Sequence, residues 1–352
     1  MGSHNMDNRI WHQQYDPGVP ADIDIPEIPF YYFLQKAAQE TPDHICVRFN
    51  SIEITYAQAE DYTDRLARNL VSIGIQKGDC VGLCMPNIPQ FVLLYFAALK
   101  AGAVVSAINP RFGVGEVRTL LNDVQPKIIF AACEPAESIY KMQGSMVPPV
   151  KIIMTPPEDA FELNDYFQQE IPFDPGVSKL LPLMSMRTDA ELPRVTPDDD
   201  CIYQYSGGTT GTPKAAAAVH RNLVANTLQF RTWLSTLKPG EETTLAAIPL
   251  YHVYGMVIAM CVTLSLNGTI LLHDDRKGIA GMLQLIHEEK PTLFPAVPHL
   301  LEIFLQQETV LSGETDLSSL KIIISGASPL REGCQEELGK LLPEGRIVQG
   351  YG

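Results

Sequence analysis

Short apolar runs of strand length alternate with helix-length stretches along most of this chain, and no other feature restricts the fold as strongly. "ICVRFN" gives way to "TYAQAEDYTDRLARNLVSIG", where Thr55 and Gln58 are spaced as a capping box and Gly74 stands where a helix ends. "DCVGLCM" predicts a strand, and "PQFVLLYFAALKAG" a helix opening at Pro89 and closing at Gly102. "AVVSAI", "KIIFAA" and "KIIMT" are further buried strands, with "GEVRTLLNDV" an amphipathic helix among them. Strands apolar on both faces need helices on both sides, so the predicted class is α/β with parallel-rich sheets.

From about Pro156 to Asp200 the periodicity weakens and Pro, Asp and Glu accumulate, which predicts a surface connection. The alternation resumes with "DCIYQYS", "HRNLVANTLQFRTWLSTL", "TLAAIPL", "AGMLQLIHEEK", "TLFPAV", "LKIIISGA" and "REGCQEELGKLL". The expected organisation is two α/β subdomains, 7–200 with its connecting segment and 201–352, after an opening "MGSHNM" (residues 1–6) that resembles an expression remnant. No repeat of fixed period is present.

Composition narrows the partners. Acidic residues outnumber basic ones 41 to 26, a formal charge of −15, and no Lys/Arg cluster offsets it, which argues against nucleic acid. The 7 cysteines lie scattered in mostly apolar contexts and read as reduced, buried thiols of a cytoplasmic protein. Cys80 and Cys84 lack the second Cys or His pair of a zinc site. The most apolar window, Val253 to Leu272, is broken by Asn267-Gly268, which predicts a buried helix and strand rather than a transmembrane segment.

One loop reads as a ligand cradle rather more than as a flexible surface linker. "QYSGGTTGTPK" follows a strand, where open α/β sheets bind their ligands. Gly207, Gly208 and Gly211 let backbone N–H groups approach closely; Ser206, Thr209, Thr210 and Thr212 add hydroxyls, and Lys214 adds a positive charge. That set suits the oxygens of a polyphosphate. Pro213 stands between the glycines and Lys214, so the Walker spacing of a P-loop kinase is not met.

"YSGGTTGTPKA" resembles the signature loop of the adenylate-forming enzymes, the superfamily of acyl-CoA synthetases, luciferases and peptide-synthetase adenylation domains. "PLYHVYG" (Pro249–Gly255) is similar to that family's aromatic-His-x-aromatic segment, "ISGASPL" (Ile324–Leu330) to the segment along the adenine, and "QGYG" (Gln349–Gly352) to the start of Gly-Tyr-Gly-x-Thr-Glu. Gly207 within "QYSGGTTG", and the opening "WHQQYDPGVPADIDIP", resemble the long-chain fatty acyl-CoA synthetases. Aryl and coumaroyl ligases share the His-x-aromatic feature and are the nearest alternative.

The resemblance implies a two-step ligase using ATP, Mg2+ and coenzyme A: a carboxylic acid displaces pyrophosphate to form an acyl-adenylate, and the thiol of coenzyme A then displaces AMP. It implies ATP binding by Ser206–Thr212, Lys214, Gly326, Ala327, Ser328, Gln349, Gly350 and Tyr351, with Lys214 as a phosphate clamp. It places His252, Tyr254, Gly255 and Val297 at the acyl pocket. By residue type alone, His252 beside aromatics reads as a satisfied core residue and Val297-Pro298 as ordinary core. His220, just after the loop, has no chemical task that the sequence assigns.

Two departures from the family pattern carry expectations. Ala215 replaces the usual Gly after the lysine, so an extended backbone is expected there rather than a positive φ. The sequence stops at Gly352, before the Thr-Glu pair, the later ribose-binding Asp and the C-terminal domain with its adenylation lysine. The expected chain is therefore an N-terminal portion with no complete metal site and little ligase activity alone, or else a truncation that binds nucleotide or fatty acid without catalysis. Surfaces left uncovered would favour self-association as a homodimer, and peripheral membrane contact remains compatible with a cytoplasmic ligase.

Overall fold

The computed structural model describes residues 9–142, 151–155, 177–205, 214–342 and 344–351. Its strands are β1 (Ile45–Phe49), β2 (Ile52–Thr55), β3 (Cys80–Cys84), β4 (Val104–Ala107), β5 (Ile128–Ala131), β6 (Lys151–Met154) and β7 (Val177–Lys179). They continue with β8 (Asp200–Tyr205), β9 (Ala215–Val219), β10 (Thr243–Ala246), β11 (Thr269–Leu272), β12 (Leu293–Ala296), β13 (Ile322–Ser325) and β14 (Arg346–Gln349). Two seven-stranded sheets result, ordered β7-β6-β5-β3-β4-β8-β9 and β14-β13-β12-β10-β11-β1-β2. The β1–β2 and β8–β9 pairs are antiparallel, and the other pairings are parallel, which matches the expected class.

Sheet membership does not follow a division at residue 200. The early hairpin β1–β2 joins the second sheet through β11, with Val47 opposite Ile270. The hairpin β8–β9 that flanks the glycine-rich loop closes the first sheet through β4, Val105 opposite Ile202, although 201–352 was assigned to the second unit. The loop therefore lies between two antiparallel strands rather than between a strand and a helix. Apolar strands are interchangeable to a periodicity argument, and only side-chain packing selects which one each sheet accepts. Ala215 is extended, paired with Tyr205, and the alanine run is strand β9. Residues 156–176 of the expected connection lie outside the described residues; after them β7 pairs with β6 and leads into the helix Leu180–Ser185.

The helix Tyr56–Ser72 carries the expected capping box, with Thr55 Oγ1 accepting from Gln58 N–H and the Gln58 side chain accepting from Thr55 N–H. Helix Pro89–Lys100 is buried at every position. It packs on β3 and β4 of the first sheet and on β1 of the second, so one apolar cluster runs through both sheets. The window from Val253 to Leu272 contains a wholly buried π-helix, Gly255–Val262, and then β11, the buried helix and strand expected there. Among the described residues no helix is long and apolar enough to cross a membrane.

His220 receives a structural task. It is 1% exposed, and its Nδ1 accepts the N–H of Phe30 across the fold at 3.1 Å. Burial depresses its pKa from 6.5 to about 4, so the folded state holds it neutral where an unfolded chain protonates it. The unfolded state binds more protons between those two values, and stability therefore falls as pH drops from 6.5 toward 4. Denaturant titrations at pH 7 and pH 4 should show that His220→Asn removes roughly 3 kcal/mol of this acid-linked loss; an unchanged pH slope would overturn that role.

Candidate active site

The segment after β10 runs Ala247-Ile248-Pro249-Leu250-Tyr251 and then turns at His252 into the buried π-helix. His252 N–H donates to the Pro249 carbonyl at 3.1 Å, and the His252 carbonyl accepts from Met256 N–H at 2.9 Å. The Nδ1 of His252 accepts from Tyr254 N–H at 3.3 Å. With Nδ1 accepting, the neutral ring carries its proton on Nε2 and offers a donor. Partial burial lowers the His252 pKa from its ordinary value, which favours that neutral form.

Tyr254 is fixed from the opposite side. Its hydroxyl donates to the Ile324 carbonyl at 2.7 Å, with the Ala296 carbonyl at 3.3 Å, so the ring bridges the ends of β12 and β13. Burial raises its pKa and keeps the phenol protonated. The chain beyond β13 passes directly over this ring. A Cβ at Gly326 would lie 2.9 Å from Tyr254 Cζ, and only glycine permits that approach. Gly326 N–H is tied to the Ala296 carbonyl at 3.1 Å, and Gly350 N–H to the Ser325 carbonyl at 2.8 Å. Ala327 adopts φ +73°, a left-handed conformation unusual for alanine.

These pieces line a cavity of about 200 Å3 that opens to solvent. His252, Val253, Tyr254, Gly326, Ala327, Gly350 and Tyr351 line it together with Asn226, Phe230, Val257, Ile258 and Ile324. An adjoining, more open space of about 320 Å3 shares Asn226, Phe230, Ile324, Gly350 and Tyr351, and reaches Trp233, Leu234, Val348 and Gln349. The cavity brings backbone from the ends of two parallel strands together with one imidazole and the apolar side chains of Phe230, Val257 and Ile258.

The expected site residues divide into three groups. His252, Tyr254, Gly326, Ala327, Gly350 and Tyr351 come together around the cavity, with Gln349 in the adjoining space. Gly255 stands behind the wall, where a Cβ would meet the Pro249 carbonyl oxygen at 2.3 Å, so its smallness serves packing. Val297, half-buried at the start of the helix Pro298–Phe304, and Ser328, exposed, do not line either space. Ser206, Gly207, Gly208, Thr209, Thr210, Gly211 and Thr212 lie outside the described residues, and Lys214 is exposed just before β9. Asn226 and Phe230 escaped the sequence reading, although their spacing of four puts them on one face of the helix His220–Trp233 that follows β9. Among the described residues no group of three or more His, Cys, Asp or Glu side chains could hold a metal ion.

Comparison with known proteins is consistent across sequence and structure. The AMP-binding enzyme family matches residues 34–352. The chain is 28% identical over 354 residues to a long-chain-fatty-acid–CoA ligase of Bacillus subtilis, covering 97% of this chain and 62% of that protein. It is 26% identical over 338 residues to 4-coumarate–CoA ligase 1 of Petroselinum crispum, covering 94% and 58%. The chain thus spans less than two thirds of the length of these relatives. Among solved structures, a long-chain-fatty-acid-CoA ligase from Archaeoglobus fulgidus superposes with a TM-score of 0.79 at 23% identity, over 96% of this chain and 66% of that one. An anthranilate CoA ligase in complex with anthranoyl-AMP superposes with a TM-score of 0.80 at 20% identity, over 94% and 61%. At such identities the superpositions establish the fold.

The close approach of Gly326 to the Tyr254 ring yields a direct test. Gly326→Ala should displace that ring from the Ile324 carbonyl and cost about 1–3 kcal/mol in urea denaturation; a neutral substitution would show that the ring has room to move.

Proposed function

The chain belongs to the AMP-binding enzyme family, and from that premise we propose that it carries the acyl- and adenylate-binding face of an ATP-dependent acid–CoA ligase that acts on a fatty acid. The observation that supports this reading most is the cavity itself. Strand-end residues Gly326-Ala327 and Gly350-Tyr351 share one cavity with the His252 imidazole and with the apolar side chains of Phe230, Val257 and Ile258.

Joining a carboxylate to the α-phosphorus of ATP brings two anions together, so a protein assists by holding and orienting them rather than by supplying a nucleophile. In this reading the aromatic base lies against the Gly326-Ala327 backbone, which no side chain of Gly326 obstructs. The Nε2–H of His252 faces the carboxyl end of the acyl group. Phe230, Val257 and Ile258 exclude water around the first methylenes, and the adjoining space toward Trp233 and Leu234 takes more of the chain. Ser206–Thr212 and Lys214 are proposed to hold the β- and γ-phosphates. Coenzyme A is the second co-substrate, and Mg2+, when bound, shares the phosphate charge.

A coumarate-type acid is the second reading, and the comparable identity to the Petroselinum crispum enzyme favours keeping it. Calorimetry with stable sulfamoyl analogues of the two acyl-adenylates separates them. Dodecanoyl-sulfamoyl-adenosine should bind this chain about tenfold more tightly than coumaroyl-sulfamoyl-adenosine. The reverse order would select the aryl reading, and no binding of either analogue or of AMP would overturn the proposal.

A further inference from the structure

Two side chains from elements of the first sheet reach the wall that carries His252 and Tyr254. Tyr95, in helix Pro89–Lys100, brings its hydroxyl to the Met256 sulfur at 2.8 Å. Asn87, in the turn between β3 and that helix, makes the more directional contact. Its Nδ2 donates to the carbonyls of Ala246 and Ile248, each at 2.9 Å, and its Oδ1 accepts the N–H of Leu250 at 2.8 Å. Both amide hydrogens and the amide oxygen are engaged, and a flipped amide would set oxygen against two carbonyls.

These partners are backbone groups where β10 ends and the chain becomes irregular. Such groups need partners, and a ladder no longer supplies them past Ala246. The next four residues, Ala247 to Leu250, are what the wall stands on: Pro249 holds His252 through its carbonyl and abuts Gly255 too closely for a side chain. A shift in 246–250 therefore moves His252 and Tyr254 together. We propose that Asn87 is a positioning residue that sets the place of the His252–Tyr254 wall, linking the first sheet to the ligand cavity of the second. Its consequence for ligand affinity rests on the function proposed above; its mechanical role does not.

The test uses the chain as it is, with Asn87→Ala and Asn87→Asp. Asn87→Ala should raise hydrogen exchange of the amides from 248 to 256 about tenfold, while β5 and β12 keep their protection. The His252 Cε1–H resonance should move, and dodecanoyl-sulfamoyl-adenosine should bind about fivefold more weakly. Unchanged exchange at 248–256 together with an unmoved His252 resonance overturns the proposal. If Asn87→Ala loosens the whole fold, Asn87→Asp decides, because it keeps an acceptor for Leu250 and loses both donated bonds. Local deprotection in that variant supports the role, and native protection refutes it. If the unsubstituted chain binds no analogue, the functional reading falls, while exchange and resonance still judge the positioning role.

Discussion

The structure depends on one helix that has no solvent-facing side. Every residue of Pro89–Lys100 is buried, and the helix touches strands of both sheets. Phe96 stacks on Phe30 with ring centroids 5.7 Å apart, and Tyr95 reaches Met256 in the π-helix. Burying a helix on all faces forces the two sheets to share a core, since neither could cover it alone. The cavity wall at His252–Tyr254 inherits its rigidity from that shared core, because the buried π-helix continues directly from it.

Existence and type of most elements were legible from local sequence. Thr55 and Gln58 announced a helix start, Pro89 another, and Asn267-Gly268 a break, because capping and turn chemistry act over three or four residues. Pairing was not legible. Sequence order suggested a division near residue 200, yet β1–β2 joins the second sheet and β8–β9 the first. Apolar tetrapeptides such as Val104–Ala107 and Thr269–Leu272 carry no address, and what sorts them is the fit of whole faces against buried helices.

The candidate site divides along the same line. His252, Tyr254, Gly326 and Gly350 stood out through the resemblance of their short segments to the family's motifs, and they line one cavity. Phe230, Val257, Ile258 and Ile324 were silent, since an apolar residue that lines a recess reads like one that fills a core. The resemblance placed Gly255 at the acyl pocket, whereas a Cβ there would meet the Pro249 carbonyl. Ala327 runs against local preference, with alanine held at positive φ beside the cavity. Such a backbone persists where the surrounding structure over-determines it, here through the bonds of Gly326 and Gly350 to neighbouring strands.

The pairing of β1 with β11 has a consequence for how the chain reaches this state. Val47 finds its partner only at Ile270, so more than half of the polypeptide intervenes between two hydrogen-bonded neighbours. During synthesis the hairpin β1–β2 emerges early and must wait, its inner edge unsatisfied, until Thr269–Leu272 leaves the ribosome. Closing so long a loop costs entropy before any contact repays it, and an open strand edge is a template for pairing with other chains. The oldest strands of the second sheet thus wait for a partner made about 220 residues later, and during that interval their open edge is exposed to pairing with other chains.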